Sequence, residues 1–339
     1  MLVGLAATYF MKGDLATTTE VAEEALAAAE RTGDAFDLLS AHSVAAAPLL
    51  FQGHFARALQ HLEQSIRLYN SSEHGSRARM VGLDRGVLAR SYATWCHMYC
   101  GHPDRALVVS EEAIALAKRV GHPLSLAHAL FFAGVVHGQR AEFDRTQERG
   151  EEVVVLAEQL GFPLYLGLGR VLRGWARVES EEGEAGIAEM QQALIELAGI
   201  GSGVGAPFFL STLAQGLRKV GRHDEALGAV ALGVAQADRL GQHYYDADLY
   251  RLRAEILLDT DGNAVEQAEA LVGQSLEIAR RQEAKTFELR AATSLARLWQ
   301  RQGKRDAARA LLTPLYAWFT EGFATRDLQD AKALLDDLA

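Results

Sequence analysis

The sequence is short of several things that would decide its class at once. It holds only two cysteines, Cys96 and Cys100, four apart and with no framework of partners around them. That excludes a disulfide-stapled secreted fold and leads us to expect a reducing, cytoplasmic setting. Proline is scarce, 6 in 339 residues, which leaves long helices unbroken. No hydrophobic run reaches the roughly 20 residues of a membrane span; the longest, Leu124 to Val136, is interrupted by Ser125 and His128. Met1 to Met11 is apolar but has neither a basic start nor a cleavage site, so it reads as the first helix of the fold. Basic residues are outnumbered, 34 against 44 acidic ones, for a formal charge of −10. A dedicated nucleic-acid binder needs the opposite balance to displace counterions from phosphates.

Catalytic signatures are missing as well. Gly303-Lys304 resembles a P-loop ending, but Arg305 follows it and Leu298 stands where the first glycine belongs. Gly201-Ser202-Gly203-Val204-Gly205-Ala206 mimics a dinucleotide fingerprint without the strand that must precede one. No nucleophile elbow and no HExxH pair occurs. Cys96, His97, Cys100 and His102 lack further ligands at tetrahedral spacing, so the cysteines are expected to be buried as small hydrophobes. The acidic run Glu179, Glu181, Glu182 and Glu184 reads as a solvated loop. No enzyme activity, metal or cofactor is expected.

What is present is helix. Alanine and leucine make up roughly a third of the chain, and no strand-like alternation appears, which excludes βαβ folds. Ala-x-x-x-Gly recurs with its glycines at 33, 121, 161 and 241, and Gly75 and Gly201 fill the gaps in a period near 40. A second comb lies half a period away at Gly13, Gly53, Gly101, Gly183, Gly221, Gly262 and Gly303, with Ala141 where a glycine would complete it. Each half-period holds one helix of about 16 residues, roughly 24 Å long, and its turn. Glycine suits the left-handed position past a helix end, and proline marks helix starts in Gly121-His122-Pro123 and Gly161-Phe162-Pro163. Ala58, Ala106, Ala226 and Ala308 each stand five residues after a turn glycine, where a small side chain lets paired helices approach.

The expected architecture is an all-α solenoid forming a single domain over 1–339. It comprises eight helical hairpins, roughly 1–33, 34–75, 80–121, 122–161, 162–201, 205–241, 243–282 and 284–320, and a capping helix at 325–338. Ser71 to Arg77 reads as a longer loop before the third hairpin. Stacked at about 10 Å, the pairs should form a curved rod on the order of 80 Å long, each buried only by its neighbours.

Hairpins with Gly-x-x-x-x-Ala turns resemble tetratricopeptide (TPR) repeats, although 40 exceeds their usual length. A narrower resemblance rests on Ser91-Tyr92-Ala93-Thr94-Trp95, Leu172-Arg173-Gly174-Trp175-Ala176, Asp248 to Glu255 and above all Ala279 to Leu338, including Leu298-Trp299-Gln300-Arg301-Gln302-Gly303. These segments look like the C-terminal repeat region of large bacterial proteins that begin with a class III adenylate/guanylate cyclase domain and continue with a STAND/AAA-like ATPase. The resemblance implies a regulatory, protein-binding module of a signalling protein. This chain opens inside the repeats, so the family's cyclase and ATPase activities are not carried over.

One constellation points to binding. Arg170, Arg173 and Arg177 follow i, i+3, i+7 on the first helix of the fifth hairpin; Arg251 and Arg253, then Arg290 and Arg297, lie on the first helices of the seventh and eighth. In TPR-type solenoids the first helices line the concave surface. Arginines there would take a protein or peptide segment, acidic by complementarity. Alternatively they pair with neighbours such as Glu179, Glu255 and Glu288 and only stiffen the stack. A small-molecule sensor of the STAND type is the second functional reading, and a deep apolar pocket would favour it.

Overall fold

The structure, a computed structural model, describes residues 1–74, 82–180 and 182–339. Among these residues there are eighteen α-helices and no strands. Apart from the single turn Ser71–His74, they form eight hairpins and a final helix. The hairpins are α1 (Leu2–Met11) with α2 (Leu15–Thr32), α3 (Ala35–Phe51) with α4 (Phe55–Leu68), α5 (Arg85–Tyr99) with α6 (Pro103–Val120), and α7 (Pro123–Gln139) with α8 (Phe143–Leu160). They continue with α9 (Pro163–Val178) and α10 (Gly183–Gly199), α11 (Ala206–Lys219) and α12 (His223–Leu240), α13 (Asp246–Thr260) and α14 (Val265–Arg281), and α15 (Lys285–Arg301) and α16 (Arg305–Trp318). Helix α17 (Arg326–Asp337) closes the end. The chain is a TPR-like α-solenoid.

The repeated Ala-x-x-x-Gly has a simple cause. In α2, α6, α8 and α12 the glycine takes a left-handed φ of 65–69° and its N–H donates to the carbonyl of the alanine four residues back. This satisfies a carbonyl the helix end would leave open. The alanine itself is buried in each case. The second comb holds in part. Gly13, Gly53, Gly101, Gly221 and Gly303 have positive φ, and Ala141 adopts φ 63° without being glycine. Gly183 and Gly262 do not: the first opens α10 and the second lies in a turn. Gly75 lies outside the described residues, as do Ser76 and Arg77 of the loop expected before the third hairpin; its first four residues, Ser71–His74, form a helical turn instead. Ala58, Ala106, Ala226 and Ala308 are all fully buried between paired helices.

The expectation that each hairpin is buried only by its neighbours is overturned. The superhelix is tight enough to close on itself, with the turn of hairpin n lying against the end of hairpin n+5. Gly13 meets Leu240, Gly53 meets Gln282, and Gly101 meets Trp318 and Phe319. A Cβ would come within 2.9 Å of Leu240 Cδ2 at the first site, 2.4 Å of Gln282 Nε2 at the second and 2.8 Å of Trp318 Cζ3 at the third. The interior thus joins hairpins distant in sequence through an aromatic core. Trp95 sits 4.5 Å from Phe132 and 5.8 Å from Phe208, Tyr99 stacks on Phe287 at 4.9 Å, and Phe51 meets Tyr244 at 5.1 Å between centroids. Such pairs contribute about 0.5–1.5 kcal/mol each beyond their burial.

Polar contacts fasten the same seam. Glu321 Oε1 accepts from the backbone N–H of Asp104 and Arg105 at 2.9 and 3.0 Å, capping α6 from the far end of the chain. Asp104 Oδ2 in turn accepts from the Gly322 N–H at 2.8 Å, and its Oδ1 from Arg140 at 2.9 Å. Burial pushes the Asp104 carboxyl up, but these bonds outweigh it and hold it below the usual range.

A charge-laddered cleft on the inner face

A concentration of charge faces a concavity between the end of α7 and the helices α13, α15 and α17. The cleft encloses about 260 Å³. Four arginines, Arg251, Arg290, Arg297 and Arg326, and four carboxylates, Glu179, Glu255, Asp327 and Asp330, line it together with Gln139 and Trp175. The repeat produces this ladder. Residues about 39 apart fall at the same place on successive first helices, as do Arg251 and Arg290, or Glu255 and Ser294. Ser294 accordingly donates to Glu255 at 2.6 Å.

At the floor, Arg251 donates from Nε and Nη2 to Asp248 Oδ1 at 2.9 and 2.8 Å and from Nη1 to Glu255 Oε1 at 2.8 Å. Arg218 of α11 pairs with Glu255 from the other side. Burial works to raise the Glu255 carboxyl, but Arg251 and Arg218 outweigh it and lower it to about 2. Burial similarly opposes the charge on Arg290, and Asp327 and Asp248 more than restore it. Arg290 makes one short bond, from Nε to Asp327 Oδ2 at 2.8 Å; its other contacts, to the Gln139 carbonyl at 3.4 Å and Asp248 at 4.0 Å, are long. Gln139 donates to the Tyr245 hydroxyl at 2.9 Å, while its own Oε1 is buried without a partner. The cleft therefore presents weakly engaged guanidinium N–H groups, with the unpartnered Gln139 side-chain oxygen buried behind its wall.

The seven arginines singled out by sequence divide. Arg251, Arg290 and Arg297 line the cleft together, Arg297 pairing with Asp330 at 3.2 Å. Arg253 is exposed on the far side of α13 and makes no ion pair among the described residues. Arg170, Arg173 and Arg177 do not line the cleft. They turn toward α10 of their own hairpin, where Arg170 pairs with Glu196 at 2.8 Å and Arg173 and Arg177 share Glu189 at 2.7 and 3.0 Å. Helix phase decides this, since Trp175 is the residue of α9 that lines the cleft. The acidic run is more than a solvated loop. Glu179 lines the cleft and binds Lys219, Glu182 pairs with Arg177, and Glu184 pairs with Arg222; Glu181 lies outside the described residues.

The reading missed Gln139, Asp248, Arg326 and Asp327. The first could have been found only from the closure, which brings the end of α7 over α15. Asp248 lies three residues before Arg251 on α13, and Arg326 and Asp327 open α17, outside the arginine register. Among the described residues no group of three or more His, Cys, Asp and Glu side chains is placed to hold a metal. None of their helices is long and apolar enough to cross a membrane. Burial pushes the Cys96 thiol well above its ordinary value, where it is unreactive.

With this geometry in hand, comparison with known proteins bears on the fold. No protein-family model matches the chain. An uncharacterized protein of Rhizobium meliloti (strain 1021) is 28% identical over 224 residues, which cover 66% of this chain and 21% of the relative. The chain thus spans about a fifth of that relative's length. Among solved structures, a Rap protein complexed with Competence and Sporulation Factor superposes with TM-score 0.64 at 10% identity, covering 95% of this chain and 81% of that one. The Rap conjugation gene regulator of plasmid pLS20, in complex with the Phr* peptide, gives 0.63 at 11% identity, with 98% and 96% covered. The chain shares its TPR-like solenoid fold with these regulators.

Proposed function

We propose that the chain is a non-catalytic regulatory module, acting as one domain, that binds a peptide segment of a partner in the cleft between α7 and α15. The observation that carries this reading is the weak engagement of Arg290, whose Nη groups reach only the Gln139 backbone carbonyl at 3.4 Å and Asp248 at 4.0 Å. A peptide carbonyl or carboxylate entering the cleft answers those donors. The balance of four arginines against four carboxylates fits a peptide of mixed charge; an acidic residue in it would displace Asp327 or Asp330 from its arginine. A Rap regulator bound to the Phr* peptide on the same fold supports a peptide as ligand. The resemblance to repeat regions of cyclase and STAND ATPase proteins implies a sensor or scaffold role in a cytoplasmic signalling protein of that kind.

Selection from a random heptapeptide library on the purified chain tests this. Enriched peptides are expected to bind by calorimetry and to lose roughly tenfold in affinity in Gln139→Met and in Arg297→Ala, with melting temperatures near that of the parent. Failure to enrich any sequence, or affinities indifferent to both substitutions, removes the proposal.

A further inference from the structure

A second concavity lies far from the cleft, in the first half of the solenoid. It encloses about 480 Å³ between α1, α3, α5 and the start of α9, and its walls are almost wholly apolar, with Phe10, Val44, Leu88, Leu124 and Tyr165 prominent. This volume falls within the roughly 300–1,000 Å³ of small-molecule sites. Among the described residues a single charged side chain, Arg85, lines it.

Arg85 is only 8% exposed. It has no ion pair and no hydrogen bond among the described residues, and its Nε is buried without a partner. The other deeply buried arginines are all neutralised: Arg140 by Asp104 and Glu142, Arg251 by Asp248 and Glu255, Arg290 by Asp327. Asp84, next in the chain, attracts Arg85 through space but forms no ion pair with it, because its oxygens are held by other donors. Oδ1 accepts from the Val87 N–H at 2.9 Å and Oδ2 from the Tyr69 hydroxyl at 2.7 Å. Burial disfavours the charge on Arg85, yet guanidinium does not give up its proton under ordinary conditions. A buried, unpaired cation is costly unless something else supplies the anion.

We propose that this cavity is a ligand site for a small carboxylate-bearing amphiphile, whose apolar body fills the pocket and whose carboxylate pairs with Arg85. The fork of guanidinium N–H groups matches a carboxylate. The apolar walls match a chain or ring rather than a sugar or nucleotide, which would leave polar groups unpaired there. The site shares no residue with the cleft, so it stands or falls separately from the peptide reading.

Titration calorimetry of the whole chain with dodecanoate, dodecanol and a hydrophobic tetrapeptide with a free C-terminus tests it. Dodecanoate is expected to bind once per chain and roughly tenfold more tightly than dodecanol. In Arg85→Met that preference should vanish, with dodecanol unaffected and the melting temperature no lower. In Ala7→Leu, which narrows the cavity without touching the cation, dodecanoate binding should weaken roughly tenfold; this variant carries the test if Arg85→Met does not fold. The proposal is overturned if dodecanoate shows no binding at roughly 1 mM, if it binds no better than dodecanol, or if the variants bind it like the parent. Tighter binding of the tetrapeptide than of dodecanoate also overturns it, because the occupant is then a polypeptide end.

Discussion

The turn glycines of the first three hairpins and those of the later ones look alike in sequence but carry different burdens. At Gly221 and Gly303 nothing lies within 4 Å of where a Cβ would stand, so only the left-handed backbone calls for glycine. At Gly13, Gly53 and Gly101 the next superhelical turn fills that space as well. One comb of residues thus serves two purposes: where its glycines take positive φ it reverses the chain, and in the first three hairpins it also lets the solenoid close. The later hairpins are joined differently, by the ladder that runs through Arg218, Glu255, Arg251 and Arg290.

The largest effect expected from this contrast is at Gly101. Gly101→Ala adds left-handed strain, about 1–2 kcal/mol, to overpacking against Trp318 and Lys285, about 1–3 kcal/mol. Gly303→Ala should show the strain alone. Equal losses of stability by urea unfolding would erase the distinction.

Acid should discriminate the two regions next. Glu255 is lowered to about 2 in the folded chain, against about 4.3 unfolded. Its contribution, on the order of 3 kcal/mol, is complete above about pH 4.3 and is lost as the pH falls toward 2. Hydrogen exchange at pH 3 should therefore loosen α11, α13 and α15 before α3 and α5, and Glu255→Gln should flatten the acid limb of unfolding.

A smaller effect is expected at Gly53, where the obstacle is the amide end of Gln282, itself donating to the His243 carbonyl at 2.8 Å. A double-mutant cycle of Gly53→Ala with Gln282→Ala should give a coupling of about 1 kcal/mol, because shortening the glutamine clears the clash. Additive values would mean that the two turns do not touch in solution. Smallest of all, Arg297→Ala breaks a half-exposed pair with Asp330 and should change stability by less than about 1 kcal/mol, which makes it a clean probe of ligand binding.

Much of the fold was legible because its signals are local. The alanine four residues before a glycine, the buried alanine five after a turn, and the proline opening α7 and α9 each reflect a contact within one hairpin. Closure was not legible. The contacts of Gly101 with Trp318, of Thr286 with the Met98 carbonyl, and of Glu321 with the start of α6 join residues about two hundred positions apart, and no period encodes them. The aromatic residues that fill the axis, Trp95, Tyr99, Phe208 and Phe287, carry no local signal that sets them apart from other apolar helix positions. The cleft was half legible for the same reason. Register put Arg251, Arg290 and Arg297 in line, but only helix phase could show that Arg173 and Arg177 face Glu189 instead.

The seam between hairpin n and hairpin n+5 has a consequence for how such a chain can vary. An open solenoid grows or shrinks by whole repeats at little cost, because each unit answers only to those beside it. Here a duplication or deletion anywhere between Gly101 and Trp318 would slide every later loop past its seat, leaving Glu321 without the helix end it caps. Length has become a fitted dimension, and substitutions within repeats are the route of change that the architecture leaves open.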